Sequence, residues 1–161
     1  MTEVPEFWRT EIWHPLSVHF PIALLIIALV FKGISIKSSN LLWQEGGGVL
    51  LLFGVITAWI SVYTGEQADA VVVRSLCDPT VLEDHENTAY ALSWIFTTAL
   101  ILDAAYWKNL LNVKKPWLKF VIFFIMLVGA GFLIYTGHQG AELVYQQGAG
   151  VYHPSEDCTG F

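Results

Sequence analysis

Four stretches of the chain stay apolar for the length of a membrane crossing, and the polar residues gather between and beyond them. Residues 15–33, 47–65, 87–107 and 116–137 are filled mainly by Leu, Ile, Val, Phe, Ala and Gly. A helix of about 20 such residues covers the ~30 Å of a hydrocarbon core. The pattern predicts an all-α fold, an integral membrane four-helix bundle in one domain, built as two helical hairpins. A polar tail is expected over 138–161.

Local signals refine these spans. Pro15 suits a first helical turn, where its missing N–H costs nothing. Pro21 falls inside the first span and is expected to kink it unless a neighbour satisfies the freed carbonyl. Asp78-Pro79 reads as a cap with a first-turn proline, so the third helix starts ahead of the apolar run and carries His85.

Composition supports the membrane class. Of 161 residues, 55% are hydrophobic and only 14% charged, too apolar for an ordinary soluble domain. Net charge is −6 with the basic residues scattered, so the footprint that holds nucleic acid phosphates is missing. The segment Met1–Trp13 carries Glu3, Glu6 and Glu11 ahead of the first apolar run, which does not read as a secretory signal.

Charge also orients the chain. Lys32, Lys37, Lys108, Lys114, Lys115 and Lys119 lie at one end of the spans, Arg9 and Arg74 at the other. Basic residues beside spans stay cytoplasmic. Both termini and the 71–88 loop are therefore expected in the periplasm of a bacterium, with the bundle in its inner membrane. Trp8, Trp13, Tyr63, Tyr90 and Tyr135 near one boundary, and Trp43, Trp107 and Trp117 near the other, read as interfacial anchors. Cys77 and Cys158 fall on the same outer side, where a disulfide persists; a bridge pinning the tail over the loop is expected, with two free thiols as the alternative. Neither belongs to a Cys-x-x-Cys motif.

The ends of spans two and four resemble each other: Tyr63/Tyr135, Thr64/Thr136, Gly65/Gly137 and Gln67/Gln139 align. This weak internal repeat relates the two hairpins and would pair His19 with His85. Parallel repeats often place a ligand site between their halves. Small residues recur at helical spacing, with Gly54, Ala58, Ser61 and Gly65 in one span and Ala130, Gly137 and Ala141 in the other. They let helices pack closely, and the same face would leave room for a flat macrocycle.

All five histidines, His14, His19, His85, His138 and His153, lie at the outer end in this orientation. An ionisable group at membrane depth usually has a partner or a function. His19, His85 and His138 come from three spans at similar depth, and Glu66 supplies the fourth. His14 before Pro15 reads as a helix start among headgroups, and His153 as solvated. Two chemistries fit: haem b held by two axial imidazoles from among His19, His85 and His138, or a Zn, Cu or non-haem Fe ion held by His19, Glu66, His85 and His138 together. Glu66, Gln67 and Gln139 would orient the imidazoles. Asp103, near the opposite end of span three, is expected to face a lysine or water. No phosphate loop, nucleophile elbow or His-Glu-x-x-His helix occurs in the sequence.

His14-Pro15 with Val18-His19-Phe20-Pro21-Ile22-Ala23-Leu24, His85 opening span three, and Gly137-His138-Gln139-Gly140-Ala141-Glu142-Leu143-Val144-Tyr145 with Gly148 and Gly150-Val151 resemble the bacterial four-helix membrane proteins called domain of unknown function 2231. Some of those proteins are joined to c-type cytochrome domains, so the resemblance implies redox work at the periplasmic face and favours haem. This chain has no Cys-x-x-Cys-His, so its electron partner would be a separate periplasmic electron-transfer protein or a quinol. The expected function is a b-type cytochrome-like electron-transfer subunit. Metal binding or transport, and a cofactor-free subunit of a larger membrane complex, are the alternatives.

Overall fold

The computed structural model describes residues 6–109 and 116–151. The first crossing is assembled from a 3-10 turn, Thr10–Ile12, a short helix α1 (Trp13–Ser17) and the longer α2 (His19–Lys37). Three more helices follow: α3 (Leu41–Val72), α4 (Thr80–Trp107) and α5 (Pro116–Gln147). Each of the four helical runs is long and apolar enough to cross a membrane. The helices pack in a ring, α2 on α3, α3 on α4, α4 on α5 and α5 back on α2. α2 and α4 therefore face each other across the bundle.

Local chemistry accounts for the helix ends. The interruption between α1 and α2 falls at Val18, whose backbone is still helical. Pro21 has no N–H to give the Ser17 carbonyl four residues back, so regular bonding lapses without a sharp break. The Asn40 side chain accepts from the Leu42 amide at 2.9 Å and starts α3. At α4 the Asp78 carboxylate accepts from both the Thr80 amide and the Thr80 hydroxyl, at 3.0 and 2.6 Å.

α5 runs ten residues beyond its expected apolar end, so the segment 138–147 is helix and not the start of a tail. Gln139 and Leu143 are buried there, and this packing extends the helix past the point where hydropathy falls. Gly148 and Gly150, both at φ 68, turn the chain away, a left-handed conformation that glycine adopts freely.

Leu25, Leu51, Phe96, Ile122 and Met126 fill the middle of the bundle and are almost completely buried. Two glycines set how closely the hairpins close. A Cβ on Gly54 would lie 2.5 Å from Leu25 Cδ2, and one on Gly129 would lie 2.8 Å from the Phe96 ring. The outside is equally apolar, with Val30, Phe53, Ile60, Ile101, Phe120, Phe124 and Ile134 exposed. A helix hydrophobic on every face belongs in lipid, so the fold is a multi-pass membrane bundle. Trp8, Trp13, Trp107 and Trp117 stay exposed near its two ends.

At the lysine end, the partner of Asp103 is Lys32. Lys32 Nζ lies 2.7 Å from both Asp103 oxygens and donates to the Gln44 carbonyl at 2.8 Å. Gln44 Nε2 donates to Asp103 as well, at 3.1 Å. Gly47 and Gly48 admit the pair, since their missing side chains would occupy the space of the Lys32 stem and of Asp103 Oδ2.

Candidate functional site

The histidine end carries a second pairing across the bundle, between His14 of α1 and His85 of α4. Their ring centroids are 6.0 Å apart with the planes at 85°. His14 Nδ1 lies 2.9 Å from the Ser61 carbonyl on α3, and His85 Nδ1 lies 3.0 Å from the Thr136 carbonyl on α5. A carbonyl only accepts, so each Nδ1 carries the hydrogen and each Nε2 keeps its lone pair. That is the tautomer of a metal-ligating histidine whose other nitrogen is fixed by a backbone oxygen.

Both imidazoles press on glycine. A Cβ on Gly65 would be 3.2 Å from His14 Cε1, and one on Gly140 would be 3.3 Å from His85 Cε1. Behind each ring stands a hydroxyl three residues on: Ser17 donates to the His14 carbonyl at 2.9 Å, and Thr88 to the His85 carbonyl at 3.0 Å. Ser17 also meets the Thr64 hydroxyl at 2.9 Å, while the Thr88 hydroxyl lies 2.6 Å from Gln139 Oε1. Thr136, itself buried, has a hydroxyl with no partner among the described residues.

These contacts define a two-fold relationship between the hairpins. His14/His85, Ser17/Thr88, Leu25/Phe96 and Lys32/Asp103 all share one offset of 71 residues. Gly54/Gly129, Ser61/Thr136, Thr64/Gln139 and Gly65/Gly140 share a second, slightly longer one. The repeat expected from residue identity set Gly65 against Gly137 and His19 against His85. The contacts set Gly65 against Gly140 and His14 against His85. Three residues are nearly one helical turn, so a run of small residues matches itself in either register, and only the imidazole contacts choose.

The set His19, Glu66, His85 and His138 is not brought together. His19 and His138 are exposed, and Glu66 is exposed and accepts from the Tyr90 hydroxyl. Helical phase explains the two histidines. His19 is five residues beyond His14 and His138 is two beyond the buried Thr136, steps that turn a side chain far around the helix. Among the described residues, no group of three or more His, Cys, Asp or Glu side chains is placed to hold a metal ion. Of the expected supporting residues, Gln139 is buried behind His85 and Gln67 is exposed. Cys77 is exposed, while Cys158, its expected disulfide partner, and His153 lie outside the described residues.

His14 is the residue that sequence reasoning passed over, as a helix start among headgroups. A signal for it was present, because His14-x-x-Ser17 and His85-x-x-Thr88 repeat the same histidine-hydroxyl spacing.

Above the imidazoles, a cleft of about 300 Å³ opens at the same end, lined by Arg9, Glu11, Val71, Val72, Ser75, Gln147, Gly148, Gly150 and Val151. Arg9 Nη1 is paired with Glu11 at 3.2 Å, and Arg9 Nε is buried with no hydrogen-bond partner among the described residues.

The molecule is thus a four-helix integral membrane protein with one imidazole from each hairpin turned inward at one end. Residues 12–153 match the family described as predicted membrane protein DUF2231, and the chain belongs to that family. No curated protein and no solved structure was found to match it.

Proposed function

We propose that this protein is a b-type cytochrome-like electron-transfer subunit holding haem b between His14 and His85. The observation that carries this reading is the facing pair of imidazoles, 6.0 Å apart, each with Nδ1 tied to a carbonyl. His14 and His85, each with Nε2 free of a carbonyl partner, would be the residues that hold the haem iron. A zinc or non-haem iron site draws on three or four protein ligands, and only two side-chain donors meet here among the described residues. Gly65 and Gly140 on the two intervening helices let the rings sit directly against the backbone, where a Cβ would come within 3.2 and 3.3 Å of them.

Haem supplies one-electron exchange between ferric and ferrous iron. The protein's part is to fix both imidazoles by their carbonyl bonds and to keep the pair at one end of the bundle. Leu25, Phe96, Ala28 and Ala99, all buried, separate this end from the Lys32–Asp103 end. Electrons would therefore enter and leave on the histidine side. The lysine distribution supports placing that side in the periplasm of a bacterial inner membrane, where the partner would be a periplasmic electron-transfer protein or a quinol.

The test is an absorption spectrum of the detergent-purified protein, oxidised and then reduced with dithionite, with metal analysis alongside. The expected result is a six-coordinate, low-spin b-type spectrum lost in both His14→Ala and His85→Ala. His19→Ala and His138→Ala should keep it. A colourless protein carrying stoichiometric zinc or copper overturns haem in favour of metal binding or transport. A protein with neither pigment nor metal favours a structural subunit.

A further inference from the structure

We infer that the cleft between Arg9, Gln147 and the end of α3 binds the ring of a membrane quinone or quinol. The choice of a redox-active ring rests on the electron-transfer reading above, whose partner it names as a quinol.

The polar lining selects a neutral ligand that can both accept and donate hydrogen bonds. Arg9 and Glu11 meet in the cleft as an ion pair, Nη1 to Oε1 at 3.2 Å, so together they offer no surplus charge to an ionic ligand. The pair leaves hydrogen-bonding capacity over. Arg9 Nε is buried with no partner among the described residues, and a buried orphan donor in a native fold calls for an acceptor. Gln147 is held by its carbonyl oxygen, which accepts from the Asp78 amide at 2.9 Å, so its amide nitrogen is left to donate. Glu11 meets Arg9 through one carboxylate oxygen and keeps the other as an acceptor. A quinone carbonyl accepts from Arg9 or Gln147, and a quinol hydroxyl donates to Glu11. One cleft thus serves both redox states.

Size and position fit a ring on an apolar tail. The cleft holds about 300 Å³, the small end of the range for small-molecule sites. Val71, Val72 and Val151 supply its apolar side. Val71 and Val151 are also exposed, as are Val73 and Val144 beside them, so the apolar border continues outward from the ring. Trp8, next to Arg9, and Trp13 are exposed at the same end and mark the interface, a level that a ring tethered in lipid reaches. On α3, Val72 lines the cleft two helical turns beyond Gly65; on α5, Gln147 does so two turns beyond Gly140. The cleft therefore lies about 10 Å beyond the imidazole contacts. Ala68 and Leu143, both buried, form an apolar wall between the two levels. The wall keeps the ring off the imidazoles at a separation that electron tunnelling spans.

The experiment titrates the full-length protein in detergent with a decyl-substituted benzoquinone and with decylbenzene, by calorimetry. Decylbenzene keeps a ring and the tail but has no carbonyl. The wild type is expected to bind the quinone saturably and about tenfold or more tightly than decylbenzene. Arg9→Leu removes the orphan donor, and Ser75→Phe places a ring in the cleft from an exposed position. Each should weaken quinone binding by about tenfold or more, with the thermal midpoint of Ser75→Phe unchanged. An azidoquinone should label residues 71–75 or 147–151 on illumination, and excess decyl quinone should prevent it. Equal affinity for quinone and decylbenzene, full quinone affinity in Ser75→Phe, or labelling confined to other segments overturns this inference. Any of these in a protein with a b-type spectrum leaves the haem reading standing. A colourless protein labelled in the cleft upholds the quinone site and overturns haem.

Discussion

Lys32 and Asp103 stand at equivalent places in the two halves of the chain and carry opposite charges that meet at 2.7 Å. The pair is buried and fully bonded, with Gln44 serving both partners. Removing one partner strands the other charge, so Lys32→Met alone should cost about 3–5 kcal/mol. Because the positions are related by the two-fold, exchanging the charges, Lys32→Asp with Asp103→Lys, should recover most of that loss. Lys119, which borders the same space, would then face an acid in place of a lysine. Thermal unfolding in detergent measures both. A double variant no more stable than Lys32→Met would show that the two places are not interchangeable.

The glycines should divide sharply by position. Gly129→Ala forces a methyl group into the Phe96 ring and is expected to destabilise by about 1–3 kcal/mol through overpacking. Gly137→Ala meets open space, and a helical alanine there should be neutral or stabilising by up to about 1 kcal/mol. The same unfolding assay distinguishes them.

The hydroxyls behind the two histidines are equivalent in position and unequal in consequence. Thr88→Val leaves the Gln139 carboxamide oxygen, on a residue only 4% exposed, without its donor. An unsatisfied buried acceptor costs about 1–3 kcal/mol. Ser17→Ala is milder, because the Thr64 hydroxyl keeps its bond to the Ser61 carbonyl at 3.1 Å. If the haem reading holds, Thr88→Val should also disturb the spectrum more than Ser17→Ala does.

At the start of α4, hydrogen bonds from the Thr80 hydroxyl and amide hold the Asp78 carboxyl below its ordinary range. A depressed carboxyl contributes stability above its unfolded value and loses it as pH falls through the folded one. Hydrogen exchange in the first turn of α4 should therefore quicken as pH is lowered through the acid range, after correction for the intrinsic rate. Asp78→Ala should exchange quickly throughout and show no such step.

The four crossings and the lysine-rich end were legible because each rests on local composition, whereas the helices run past the apolar stretches where packing extends them. A membrane helix needs only enough apolar residues in a row, and all four runs have them. Asp103 could be expected to find a lysine because a lone acid at that depth needs a partner. What composition could not mark was rotation. A soluble helix shows its inner face as an apolar stripe, but these helices are apolar all round. Their phase is therefore absent from the pattern.

That missing phase decided the site. The sequence by itself determined that histidines crowd one end of a four-helix membrane bundle and that small residues line α3 and α5. Only the tertiary structure decided which histidines turn inward. His14 and His85 do so because the Ser61 and Thr136 carbonyls take their Nδ1 hydrogens and Gly65 and Gly140 make room. His19 and His138, at other helical phases, are left on the outer surface.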